Sequence, residues 1–456
     1  MKILWLCNVM LPVIAGQLGI EASNKEGWIS GLADVLLKRR QENGVELAVA
    51  FPAPASLMEA GRRYVKKTVP VEGYELTFYG FAEDTLAADV YDSSLEQVMT
   101  EIAKDCQPDV VHCFGTEYPH TLAMCRTFPD KSRLLITIQG LCSVYANVFY
   151  ADLPEEVIRS VTFRDLIRKD TLPRQKEKFV KRGAMEIEAL KLAGNAGGRT
   201  PWDLHYAREW NGDIRYFEMN ETLRREFYEG AWSRERCVPH SIFLSQGDYP
   251  IKGLHYMLLA LPEILAKYPD TTVAVAGNSL VGYRTLKEKI KISAYGKYLR
   301  KLIAKLHLEG KVTFLGKLTA GQMKEQYLKS HLFVCPSSIE NSPNSLGEAM
   351  LLGMPCVSAD VGGVRGIFTD GEDGILYRGC KSDKNSFDDL TDGASSLEGV
   401  AHNLAEAVLL MWSDAQKEKE YCQSAREHAR RNHDRDRNYR LTVEVYRTIS
   451  EAAEGR

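Results

Sequence analysis

The chain has 456 residues, 45% hydrophobic and 26% charged, with 58 basic against 61 acidic side chains and a net charge of −3. At ~100–200 residues per domain this length predicts two or three domains, and the charge balance excludes the basic excess of a nucleic-acid binder. No run reaches the ~18–20 apolar residues of a membrane span, and no two of the ten cysteines stand at the Cys-x-x-Cys gap of a zinc or redox motif, so they read as reduced structural residues of a cytoplasmic protein.

In chain order, Lys2–Cys7 reads as a first buried strand rather than a signal peptide, because Asn8 breaks the apolar run and no small-residue cleavage site follows. Strands are predicted at Glu46–Ala50, Val110–Cys113 and Leu134–Ile138, with helices at Gly27–Glu42 and Leu95–Asp105 between them. Basic residues interleaved with Leu, Ile, Val and Phe mark Phe163–Lys191; a solvated helix face is the default reading and contact with anionic lipid the sharper one. The pattern then restarts with strands at Ser241–Ser245, Thr272–Ala276, Lys311–Leu315, Leu332–Cys335 and Cys356–Ala359. Helices are predicted at Leu254–Lys267, Leu299–Leu308, Ala320–Ser330 and Leu346–Leu352. Strands alternating with helices predict parallel α/β sheets, and the restart predicts two of them. We place the first domain at residues 1–220, completed by a charged C-terminal helix at 428–456, and the second at 221–427.

The segment Ser337-Ser338-Ile339-Glu340-Asn341-Ser342-Pro343-Asn344-Ser345-Leu346-Gly347-Glu348 carries the chemistry. A strand ends near Pro336 and a helix begins, with Ser342 as expected N-cap and Pro343 in the first helical position. Free amides and the dipole at such a start favour an anion, and a diphosphate is the common natural candidate. Ligands of doubly wound sheets bind outside the carboxyl ends of strands, where this loop falls. Glu340 and Glu348 flank the helix start. A carboxylate is a poor neighbour for phosphate, so both should face hydroxyls, such as a ribose diol and a sugar ring on either side of the diphosphate. Alone, two glutamates at this spacing are ordinary; here they are followed by Gly353-Met354-Pro355, another buried strand, and Gly362-Gly363.

That run, Glu340…Glu348-Ala349-Met350…Gly353-Met354-Pro355…Gly362-Gly363, resembles the pattern of family-4 retaining glycosyltransferases with the GT-B fold. Tyr249-Pro250-Ile251-Lys252-Gly253, Val312-Thr313-Phe314-Leu315-Gly316 and the ending from His433 to Tyr446 are similar as well. The resemblance implies two facing Rossmann-like doubly wound domains with an interdomain cleft, the first binding acceptor and the second a nucleotide-sugar, with UDP-sugars favoured. It implies that Glu348 binds the ribose, Glu340 faces the donor sugar, Lys252 neutralises the diphosphate, and amides at Asn344, Ser345 and Leu346 cradle its oxygens. The backbone of Lys317 and Leu318 would hold the base. Where the family carries a second phosphate-binding cation this chain has Gly247, and Arg199 and Arg365 are candidates to replace it. On the acceptor side the resemblance points to Gly27 and Trp28, His112, Glu117, Gln139 and Arg199; Phe114 and Gln139 stand where relatives often have histidine.

Transfer would retain configuration, without cofactor or metal; Asp434-Arg435-Asp436 lacks the strand that precedes the metal-binding turn of GT-A enzymes. Expected partners are the nucleotide-sugar and a glycan, glycolipid or small-molecule acceptor, with surface polysaccharide or glycolipid assembly as the setting. Peripheral contact with the inner membrane face stays open. The alternatives are a nucleotide-sugar-binding protein of another kind, either a 2-epimerase-like enzyme or a non-catalytic partner subunit. The sequence argues against a nicotinamide dehydrogenase, because Asn8-Val9-Met10-Leu11-Pro12 follows the first strand in place of G-x-G-x-x-G.

Overall fold

The computed structural model describes residues 1–20, 27–280, 290–380 and 396–454. The chain forms two compact units: Met1–Val144 with Lys178–Arg224 and His433–Arg456, and Tyr145–Glu177 with Arg225–Asn432. Chain order alone puts Tyr145–Glu177 in the first domain; in the structure this segment packs with the second unit.

Among the described residues the first unit builds an eight-stranded sheet from β1 (Lys2–Leu6), β2 (Glu46–Pro52), β3 (Tyr64–Val71), β4 (Tyr74–Phe81), β5 (Val110–Phe114), β6 (Leu134–Thr137), β7 (Asn195–Gly198) and β8 (Arg215–Glu218). Their order is β3-β4-β2-β1-β5-β6-β7-β8. Every pairing is parallel except the β3–β4 hairpin, whose two-residue turn at Glu72 and Gly73 has positive φ at both positions. The expected four strands are present within one or two residues at their ends. The hairpin, β7 and β8 are additional. The predicted helix 27–42 is broken at Arg39 into Gly27–Lys38 and Arg40–Asn43.

The C-terminal helix Arg435–Glu454 completes this unit. Tyr439, Val443, Tyr446 and Ile449 join the core cluster of Ile3, Trp5 and Phe114. Inside it the Trp5 Nε1–H donates to the Tyr446 hydroxyl at 2.8 Å. That hydroxyl also lies 2.7 Å from His112 Nδ1, and His112 Nε2 lies 3.0 Å from Thr137 Oγ1, so both ring nitrogens have hydrogen-bond partners.

The second unit holds β9 (Val238–Leu244), β10 (Thr272–Ala276), β11 (Val312–Gly316), β12 (Ser330–Cys335), β13 (Cys356–Asp360) and β14 (Ile375–Arg378) in one parallel sheet, ordered β11-β10-β9-β12-β13-β14. The order runs outward from β9 on both sides, so it reverses between β9 and β12. In a doubly wound sheet that reversal opens a crevice at the carboxyl ends of the two strands. The burial of β12 along its whole length fits a central strand covered on both faces.

Candidate active site

Three loops meet at the switch point of the second sheet. The loop after β9 carries Gly247 to Gly253, the loop after β12 carries Pro336 to Pro343, and Gly362-Gly363 follows β13. The Ser338 amide donates to Ile251 O at 2.8 Å, and the Gly363 amide to Glu340 O at 2.9 Å. Two glycines make these approaches feasible. Gly253 (φ +68°) lies so close to the carbonyl of Pro336 that a Cβ would stand 1.8 Å from its oxygen, and Gly362 (φ +54°) is equally pressed against the carbonyl of Glu340, at 2.1 Å.

Loops ordinarily run over the surface in water. This one buries Ser337, Ser338, Glu340, Asn341 and Ser342. Glu340 Oε1 accepts two short hydrogen bonds, from Lys252 Nζ at 2.6 Å and from Ser337 Oγ at 2.7 Å. Burial alone would lower the lysine's pKa, but the Glu340 carboxylate outweighs it and keeps Lys252 well above the ordinary lysine range. The structure therefore brings Glu340 and Lys252 together. It also adds Ser337, whose only mark in the sequence is its position three residues before the glutamate.

The helix expected at Leu346 begins two residues earlier, at Asn344, with Pro343 rather than Ser342 as N-cap. Proline has no side-chain acceptor, so this helix start has no side-chain cap bond. The amides of Leu346 and Gly347 turn back to Pro343 O at 2.9 and 3.2 Å. Leu346, expected among the anion donors, thus uses its amide inside the helix. Asn344 and Ser345 lie in the first turn, where the helix supplies no carbonyl one turn back. Asn344 Oδ1 is buried without a partner. Ser345 O accepts from the Tyr327 hydroxyl at 2.9 Å, which fixes the start of the helix. Glu348 is buried one turn in. Lys317 and Leu318 follow β11 on the same carboxyl edge, Lys317 exposed and Leu318 half-buried.

At Gly247 an added Cβ would stand 2.9 Å from both Leu254 Cδ2 and Val275 Cγ1. Packing leaves this position little room for a larger side chain. Both candidate replacements already have acidic partners: Arg365 contacts Asp360 through Nε and Nη2 at 2.7 and 2.5 Å, and Arg199, in the first unit, forms a buried ion pair with Glu221.

The remaining residues expected on the acceptor side divide by environment. His112 is fully buried with both ring nitrogens used, and burial pushes its pKa down to about 3; it is a neutral core histidine. Glu117 follows β5, with Asn8 Nδ2 3.5 Å from its carboxylate, and burial pushes that carboxyl up. The Gln139 carbonyl accepts from Arg199 Nη2 at 3.0 Å. Both border a cavity of about 20 Å³, room for one water. Gly27 and Trp28 open the helix Gly27–Lys38; the loop before them (21–26) and their side chains lie outside the described residues. Asp434 accepts from the Arg437 amide at 2.7 Å and Asp436 from Arg39 at 2.5 Å, so this acidic pair serves the start of the C-terminal helix.

Residues 240–427 match the family model described as glycosyl transferases group 1. Spore coat protein SA of Bacillus subtilis is 28% identical over 149 residues, 32% of this chain and 37% of that protein. Phosphatidyl-myo-inositol mannosyltransferase of Mycolicibacterium smegmatis is 27% identical over 159 residues, 35% of each chain. The matched stretch thus spans about a third of the length of these curated relatives. Sucrose-phosphate synthase from Thermosynechococcus elongatus shares the fold with a TM-score of 0.64 at 15% identity, over 99% of this chain and 100% of that one. Anabaena HepE in complex with UDP-glucose does so with a TM-score of 0.59 at 16% identity, over the whole of both chains.

Proposed function

We propose that this chain, whose residues 240–427 match the family model of glycosyl transferases group 1, moves a sugar from a nucleotide-sugar to a glycan, glycolipid or small-molecule hydroxyl with retention of configuration and without a metal. The observation that carries the reading is the pair of hydrogen bonds from Lys252 and Ser337 to the buried Glu340, beside the open first turn at Asn344 and Ser345. A carboxylate, a cation and free amides converge where a doubly wound sheet binds its ligand.

In this reading the diphosphate lies against the Lys252 ammonium and the amides of Asn344 and Ser345, and the ribose hydroxyls reach Glu348. The base rests on the backbone of Lys317 and Leu318. Glu340 faces the donor sugar, held in place by Ser337. The bond from the anomeric carbon to the diphosphate oxygen breaks and its electron pair leaves with the diphosphate. The acceptor oxygen bonds the same face of that carbon, and its proton passes to the departing phosphate. Charge growing on the leaving group is met by a preorganised cation and fixed dipoles, whose individual removal costs about 3–4 kcal/mol of barrier in comparable sites. A UDP-sugar is favoured as donor because a neighbour of the same fold, HepE, is seen with UDP-glucose.

The first unit would present the acceptor through Glu117, Gln139 and the start of the helix at Gly27. We place the reaction on the cytoplasmic side, peripheral to the inner membrane face. Incubating the protein with a panel of UDP-, GDP- and ADP-sugars in EDTA, and following the anomeric proton by NMR, tests the reading. Transfer or slow donor hydrolysis giving the donor's own anomer is expected. Activity restored only by a divalent cation, or product of inverted configuration, would overturn it.

A further inference from the structure

Ten large hydrophobic side chains are conspicuously exposed among the described residues, and four of them fall within seven positions: Val161 (48%), Phe163 (61%), Leu166 (65%) and Ile167 (66%). The short helix Phe163–Arg168 that bears three of them is inverted relative to an ordinary surface helix, which turns its apolar stripe inward. Phe163, Leu166 and Ile167 stand at i, i+3 and i+4, one stripe, and that stripe faces out.

The inward side is polar and tied down. Thr162 and Asp165 form a reciprocal capping box. Thr162 Oγ1 donates to Ile292 O at 2.7 Å, and Asp165 Oδ2 accepts from the Ala294 amide at 3.0 Å. The start of the same segment is fastened by His255 Nε2 to Ala151 O at 2.8 Å and by the Tyr256 hydroxyl to Asp152 at 2.9 Å. These bonds hold the apolar stripe outward in a fixed orientation. A frayed loop could turn its side chains back; this element cannot without breaking buried hydrogen bonds.

Charge on the flanks is mixed with a basic excess. Arg164 and Arg168, one turn apart, line an open cavity of about 370 Å³ together with Lys291, Asn278, Leu280 and a single acid, Asp248. Lys169 next to them is exposed. The other nearby acids, Asp165 and Asp170, both contact Arg164, at 3.0 and 3.4 Å. An apolar stripe rimmed by arginine and lysine matches an interface whose interior is hydrocarbon and whose surface is anionic. We propose that Val161–Lys169 is a membrane-docking element that inserts Phe163, Leu166 and Ile167 among the acyl chains of an anionic phospholipid leaflet, with Arg168, Lys169 and Lys291 receiving headgroup phosphates. This rests on the peripheral-membrane part of the reading above and assigns it to residues outside the donor loops.

The test is co-sedimentation of the full chain with vesicles of phosphatidylcholine alone and of phosphatidylcholine mixed with phosphatidylglycerol, at low and high salt. Binding to the mixed vesicles, weakened by salt and weak on phosphatidylcholine alone, is expected. The double variant Phe163→Ser/Ile167→Ser should lose about tenfold or more in vesicle affinity, and Arg168→Glu about fivefold or more, with melting temperatures at the parental value. A parent that stays in the supernatant with the mixed vesicles, or folded variants that bind them as the parent does, would overturn the proposal. Nucleotide titration of the same samples separates the two readings. A parent that binds nucleotide yet stays in the supernatant with the mixed vesicles removes the docking element and leaves the transfer site standing.

Discussion

The carboxyl edges of the two sheets are built from the same kind of strand–loop–helix unit, yet they use their polar residues in opposite ways. In the first unit the candidate residues are largely consumed by internal bonds: His112 lies between Tyr446 and Thr137, and Arg199 is paired with Glu221. In the second, Lys252 and Ser337 both bond the buried Glu340 beside a helix start with no side-chain cap. Buried polar groups in the first edge hold the fold, and those in the second gather beside the helix start where we propose that the diphosphate binds. A histidine or arginine at a strand's carboxyl end therefore says little until its partners are known.

Arg199→Ala should break the contrast from the structural side. It removes the cation paired with the buried Glu221 and should cost about 3–5 kcal/mol of stability, read as a lower denaturant midpoint. Nucleotide affinity at the second unit should not change; a stable variant with weakened acceptor use would instead make Arg199 a binding residue. Lys252→Ala should do the reverse, lowering kcat by about 10²–10³-fold, and a steady-state assay giving near-parental turnover would remove Lys252 from the leaving-group site. A smaller loss, about tenfold in kcat, is expected for Ser337→Ala, since one net hydrogen bond to a charged group is worth about 1.5 kcal/mol. Because Ser337 acts through Glu340, the Thr variant should restore most of that turnover.

A pH titration of stability sharpens the comparison further. His112 is pushed down to about 3 by burial, so the folded state disfavours its protonation. The stability this neutral imidazole confers is complete above the unfolded value near 6.5 and is lost as the pH falls from there toward 3. That loss approaches about 1.4 kcal/mol per pH unit for one proton. In His112→Gln that slope should be shallower by one proton over the same range, and an unchanged slope would show that the imidazole titrates normally.

Much of the donor half was legible because its apolar runs are short, buried and bounded by turns, as at Thr272–Ala276 and Leu254–Lys267, where the expected and observed limits coincide. Other elements leave weak marks. β7 reads Asn-Ala-Gly-Gly, with no β-branched residue; its glycines are required by crowding, since a Cβ on Gly198 would stand 2.4 Å from Asp203 Oδ1. The β3–β4 turn uses Glu-Gly where Asn-Gly or Asp-Gly would announce a hairpin. At the site, Glu340 and Lys252 were readable from pattern, but their contact spans 88 positions and is a product of the fold. The membership of Tyr145–Glu177 in the second unit was equally hidden, because it rests on single bonds such as Thr162 to Ile292 rather than on a run of sequence.

The most direct test of the donor-site account is calorimetric titration of the parent and of Glu348→Ala with UDP, GDP and ADP, each in the presence of EDTA. One nucleotide, UDP, is expected to bind the parent despite EDTA, and Glu348→Ala to weaken that binding by at least about tenfold, the worth of hydrogen bonds to a charged group. Equal binding by parent and variant, or binding that disappears with EDTA, would contradict it.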